Sequence, residues 1–246
     1  MKKAGFVVAG VLLAITLTAC STMGGSTAAV PTAPPVSDSA AAGETEQKAE
    51  LEPVKADTVG AGAENKILIA YFTWADNTVV ENPAGVDVDA TTSASVLPPG
   101  NVARMASWIQ EEVGGDLFSI QVEEPYSSDY DECLDRAADE KAQKARPKLA
   151  SAVENMDDYD VVFLGYPNWW YSVPMAVFSF IEENNLAGKK VVLFCSHGTG
   201  GLAGSVQDIK KELPDSEVED HVIGVYRNDI PSAQEDIKDW LREIGY

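Results

Sequence analysis

From Ile67 onward the chain alternates short apolar runs with segments of helical period, and few folds accept that rhythm. Ile67-Leu68-Ile69-Ala70-Tyr71-Phe72, Leu117 to Val122, Val161 to Gly165, Val191 to Cys195 and Val218 to Tyr226 read as five strands. Between them, Val102, Met105, Ala106, Ile109 and Val113 recur at helical spacing, and Gly114-Gly115 stops that helix. Asp129 to Ala150 reads as a charged helix, with Pro147 near its end. Pro174 fits the first turn of a helix through Met175, Phe178 and Ile181. Val206, Ile209 and Leu213 face one side of a helix that Pro214 ends, and Ile237, Trp240, Leu241 and Ile244 line the last one. Five strands alternating with five helices predict a three-layer α/β sandwich: a parallel sheet with helices on both faces. Such a sheet binds ligands beyond the carboxyl ends of its strands, where the strand order reverses.

Three loops fall at those ends. The third strand runs into Gly165-Tyr166-Pro167-Asn168-Trp169-Trp170-Tyr171-Ser172-Val173-Pro174, with three aromatics in a polar turn. A planar conjugated ligand explains them better than a core does, with packing or a protein interface as the alternative. The fourth strand ends in Ser196-His197-Gly198-Thr199-Gly200-Gly201, whose glycines permit close backbone approach. The first strand ends in Thr73-Trp74-Ala75-Asp76-Asn77-Thr78, which offers hydroxyls and amides to a phosphate. Val79 to Gly100 then separates this loop from its helix. A loop that long is expected to be a surface excursion, with a lid or substrate pocket as the alternative.

These residues carry a family resemblance. The first strand with Thr73 to Thr78 resembles the first strand and phosphate loop of flavodoxin-like proteins, and the Gly165–Trp170 and Ser196–Gly201 loops resemble that family's two isoalloxazine loops. Glu124-Pro125-Tyr126 and Ala145-Arg146-Pro147, flanking the second helix, also look like it. The resemblance covers residues 66–246 and implies strand order 2-1-3-4-5 with noncovalent FMN. It implies cofactor contacts from Thr73, Trp74, Asp76, Asn77 and Thr78, from Pro167 to Tyr171, and from Ser196 to Gly201. Asp76 stands where the family has Gly or a hydroxyl residue, and beside a phosphate it is unfavourable unless it points away. Asn168 tolerates unusual backbone angles, so its peptide is expected to reorient when the flavin is reduced.

The start of the chain reads as targeting, not fold. Lys2 and Lys3 precede an apolar stretch from Ala4 to Leu17, too short for a membrane span of ~20 residues. Leu17-Thr18-Ala19-Cys20 matches the bacterial lipobox. Residues 1–19 are therefore expected to be a signal peptide and Cys20 a lipidated first residue. Ser21 to Asn65, rich in Ala, Ser, Thr, Pro, Gly and Glu, reads as a disordered tether. Its coil would span roughly 35–40 Å. The globular domain takes residues 66–246.

The formal charge is −21, and removing Lys2 and Lys3 leaves 16 basic against 39 acidic residues, or −23. Nucleic acid is excluded as a ligand, since phosphate contacts need Lys and Arg. A basic protein partner suits this surface, and the acidity would lower the potential of a bound flavin. Cys133 and Cys195 fall on elements that are not neighbours and are expected to be free thiols. Cys195-x-His197 lacks the further ligands a metal needs. Gly198-x-Gly200-x-x-Ala203 matches a dinucleotide fingerprint, but on the fourth strand and with no acidic residue in place after it.

The expected function is FMN-based electron transfer at the extracytoplasmic face of a membrane, to a redox partner protein or a small acceptor. An FMN-dependent NAD(P)H oxidoreductase acting on quinones or azo compounds is the alternative, and a flavin-free binding module is the third.

Overall fold

The computed structural model describes residues 66–93 and 95–246. The expected signal peptide, Cys20 and the tether lie outside the described residues. In chain order the elements are β1 (Ile67–Tyr71), α1 (Val88–Ser93), α2 (Asn101–Val113), β2 (Asp116–Ser119), α3 (Tyr130–Gln143), β3 (Val161–Pro167), α4 (Met175–Glu183), β4 (Lys190–His197), α5 (Ser205–Glu212), β5 (Glu217–Val218), β6 (Ile223–Tyr226) and α6 (Gln234–Glu243). All strand pairs are parallel, in the order β2-β1-β3-β4-β5, and β6 also pairs with β4. This is the order the resemblance implies.

The period of two along the strands divides the interior. Leu68, Ala70, Val162, Leu164, Val191 and Leu193 face one side, where Cys133 of α3, Phe180 of α4 and Ile209 of α5 cover them. Ile69, Phe163, Val192 and Phe194 face the other, under Met105 and Ile109 of α2 and Ile237 and Trp240 of α6. Strands buried on both faces must be apolar throughout, which is why they read as continuous runs.

Three elements differ from expectation. The fifth strand is two pieces, because Glu219 to Val222 bulges out of the ladder. The Glu219 amide still donates to Val191 O at 2.8 Å, while His221 O turns to accept from the Trp240 indole at 2.9 Å. The second long helix ends at Gln143, where Lys144 is left-handed (φ 51°), and does not continue to Ala150. Pro147 cannot donate into a helix and disfavours helical geometry before it. The freed segment instead forms an antiparallel bridge, Leu149 to Val122, with the Ala150 amide donating to Gln121 O at 2.8 Å. That bridge takes the residues that were expected to extend the second strand, so β2 stops at Ser119.

The insertion after the first loop is also less peripheral than expected. It forms a short 3-10 turn (Pro83–Gly85) and α1, and it buries Ala90 and Val96 in the core layer shared with α3 to α5.

Candidate functional site

A cleft of about 310 Å³ opens at the carboxyl ends of β1, β3 and β4, in the lower range of small-molecule sites. Of the residues expected to bind a cofactor, Thr73, Trp74, Pro167 to Tyr171 and Ser196 to Gly200 line it. Asp76, Asn77, Thr78 and Gly201 do not.

The β1 end explains the absentees. Ala75–Asn77 forms a 3-10 turn that carries the chain away from the cleft. Asp76 turns toward β2 and accepts from the Ser119 hydroxyl at 2.7 Å. The Asn77 amide is buried and saturated: it donates to Thr73 O at 2.8 Å and Ile120 O at 3.0 Å, and accepts from the Val122 amide at 2.8 Å. The Thr78 hydroxyl donates to Tyr126 O at 2.8 Å. These three residues hold the loop in shape and leave the cleft to others.

The groups that replace them come from the far side of the insertion. Gly100 is the N-cap of α2, with φ 79°, and has no side chain to cap the helix. It lies so close to Thr73 that an added Cβ would sit 2.2 Å from Thr73 Oγ1. The amides of Asn101, Val102 and Ala103 meet no acceptor among the described residues. Asn101 and Val102 line the cleft, as does Ser95. An uncapped helix start of 13 residues, with its dipole and free donors, favours an anion here. The Gly100-Asn101 step before an amphipathic helix was a readable signal for this site; the long insertion hid its connection to the first loop.

The three aromatics divide their work. Trp169 packs edge-on against Phe72 (5.4 Å between centroids), Tyr126 (5.3 Å) and Trp74 (6.5 Å), so it is both core and cleft wall. Trp74 is itself buried, with its indole donating to Ser127 O at 3.1 Å. Trp169 and Ser172 exchange backbone hydrogen bonds of 3.2 and 2.9 Å across a two-residue hairpin. Its tip residues, Trp170 (φ 50°) and Tyr171 (φ 62°), are both left-handed. Such turns favour Asn-Gly, and a bulky residue there costs about 1–2 kcal/mol. Clasps hold the strained tip: the Trp170 indole donates to Leu134 O at 3.0 Å, the Lys141 ammonium to Trp170 O, and the Gly204 amide to Tyr171 O at 3.2 Å. Asn168 is not among the left-handed residues.

Asn168 has a different task. Its backbone amide donates to Ser196 O and its side-chain amide to Gly201 O, both at 2.8 Å, tying the β3 and β4 loops together. Gly201 thus contributes its carbonyl to the clamp. Tyr171 lies across Gly200, where a Cβ would meet its ring at 3.3 Å. His197 keeps a local contact, Nδ1 to Gly198 O at 2.9 Å.

Beyond the expected set, Tyr130, Cys133, Leu134 and Ala137 of α3 and Arg227, just past β6, also line the cleft. Cys133 offers no thiolate, since burial pushes its thiol up to about 12. Cys195 is buried and likewise shifted upward by desolvation. Both thiols are free.

The Flavodoxin family model matches residues 90–244, more than half of the chain. A candidate flavoprotein from Bacteroides eggerthii is 32% identical with a TM-score of 0.56, over 74% of this chain and 99% of that one. A candidate flavoprotein from Bacteroides uniformis is 23% identical with a TM-score of 0.57, over 72% of this chain and 98% of that one. A flavoprotein from Lactobacillus acidophilus, solved in complex with FMN, is 19% identical with a TM-score of 0.48, over 72% and 98%. Curated proteins return no match. With the family model spanning most of the folded residues, the chain belongs to the flavodoxin family.

Proposed function

We propose that this protein binds FMN and transfers electrons at the extracytoplasmic face of a membrane, held there by lipid on Cys20. The observation that carries the reading is one cleft with two complementary ends. At one end stand the uncapped α2 amides and Thr73. At the other stand the aromatic hairpin and the β4 loop. These residues fit FMN, which has an anionic phosphate and a flat ring.

In this reading the amides of Asn101 to Ala103 and the Thr73 hydroxyl hold the phosphate. Trp169 and Trp170 wall the ring from water, and Tyr171 covers it at the rim. The Ser196–Gly200 backbone presents donors and acceptors to its polar edge, at a spacing the Asn168 clamp sets. When bound, FMN supplies the redox chemistry, while the protein sets its exposure and potential. The acidic surface suits a basic redox partner.

The insertion favours a carrier over an NAD(P)H oxidoreductase. Among the described residues it gives the cleft only Ser95, and its Ala90 and Val96 are committed to the core. A second substrate therefore gains little wall from it. The test is turnover: FMN-loaded protein reduced with dithionite should pass electrons to a one-electron acceptor, yet leave NADH and NADPH unconsumed when a quinone is added. Sustained NAD(P)H oxidation in that mixture overturns the carrier reading.

A further inference from the structure

Arg227 is a cation in the cleft that the phosphate does not need. Its backbone amide donates to His197 O at 2.8 Å, which fixes it just beyond β6 beside the β4 loop. Its side chain lines the cleft. A Cβ on Gly198 would lie 3.0 Å from Arg227 Nη1, so the guanidinium packs directly against the β4 loop. The guanidinium stands 5.8 Å from the Tyr226 ring centroid. It forms no ion pair and donates no hydrogen bond among the described residues. Other cations, Arg136, Arg146, Lys190 and Lys211 among them, are taken up by carboxylates, whereas the Arg227 guanidinium stays available at the cleft wall.

Its position separates it from the α2 amides. In the sheet, β1 and β6 are divided by β3 and β4, a separation of roughly 14 Å at about 4.8 Å per strand. The cleft therefore has two positive ends: helix amides on the β1 side and a guanidinium on the β6 side. A ligand whose phosphate occupies the first presents its ring to the second.

We infer that Arg227 stabilises negative charge on the reduced ring, so that the protein holds reduced FMN more tightly than it would without this residue. The inference rests on the FMN reading above. Two electrons and one proton added to oxidised flavin leave the reduced ring with one extra negative charge, and a fixed cation at the ring's polar edge interacts with that form more strongly than with the neutral one. A guanidinium suits the task because it remains protonated and carries several donors in one plane. It also offsets the surface acidity that otherwise lowers the potential.

The experiment compares purified full-length wild type with Arg227→Gln and Arg227→Lys, first stripped of flavin. Each is titrated with oxidised FMN, then anaerobically with FMN reduced by dithionite. Arg227→Gln should weaken binding of the reduced form by roughly ten- to a hundredfold, the worth of one charge-assisted hydrogen bond. Binding of the oxidised form should change by less than about threefold, since a neutral ring gains little from the charge. Each tenfold of that difference is about 30 mV in a two-electron potential, with the variant lower. Arg227→Lys should recover part of the difference. Equal weakening of both forms, or no change in either, overturns the inference while leaving FMN binding intact. Failure of the wild type to bind FMN in either form overturns both readings.

Discussion

Trp170 and Tyr171 show what a binding loop gives up. Two large side chains occupy left-handed positions at a hairpin tip where glycine would sit without strain. Tyr171 is 68% exposed, so burial does not explain it. Such strain persists when function retains it and neighbours hold it in place. Tyr171→Gly should therefore raise folding stability by about 0.5–1 kcal/mol, the relief of left-handed strain less the entropy glycine loses on folding. The same change should weaken FMN binding by about three- to tenfold, the loss of one aromatic cover. Tyr171→Ala serves as control: it loses the cover without relieving the backbone. Denaturant midpoints and flavin titration read the two effects separately. At this scale the sequence was partly legible. The residue types in the β3 and β4 loops pointed to the cleft, whereas Asp76, Asn77 and Thr78 had the right chemistry and the wrong direction. No local pattern shows that Asn77 spends its amide on Thr73, Ile120 and Val122. Arg227 was invisible for a related reason: it reaches the cleft through the pairing of β6 with β4, far from either loop in sequence.

Among the elements, α2 matters most. The usual strand-loop-helix unit is cut open here by the Val79–Gly100 insertion, yet the helix start returns to Thr73 as though the loop were short. Gly100 makes that return possible, because only a residue without Cβ fits 2.2 Å from Thr73 Oγ1 at a φ of 79°. Gly100→Ala should push the α2 start away from Thr73. We expect FMN affinity to fall by at least about tenfold, while riboflavin, which lacks the phosphate, loses less than about threefold; one anion site at a helix start accounts for that gap. Equal losses for both ligands would mean that α2 does not hold the phosphate. The strands and helices themselves were legible because burial on both faces forces apolar runs, and one-sided burial forces helical period. The exceptions have physical causes. Pro147 and left-handed Lys144 end α3 early, and the Glu219–Val222 bulge splits the fifth strand where its run turns acidic and polar.

At the scale of the whole molecule the chain is acidic, with a formal charge of −21, and lipid on Cys20 is the anchor we propose. If lipid on Cys20 is the anchor, Cys20→Ser should move the protein from the membrane fraction to the soluble fraction of a cell lysate, with flavin content unchanged; persistence in the membrane fraction would argue for another anchor. All of this depends on the cleft holding FMN. The direct measurement is a titration of flavin-free protein with FMN, followed by visible absorbance and by quenching of flavin fluorescence. We predict saturation at one FMN per chain, with riboflavin binding more weakly because it leaves the α2 amides unfilled. A protein that stays colourless and quenches no flavin fluorescence would contradict the account and leave a flavin-free binding module in its place.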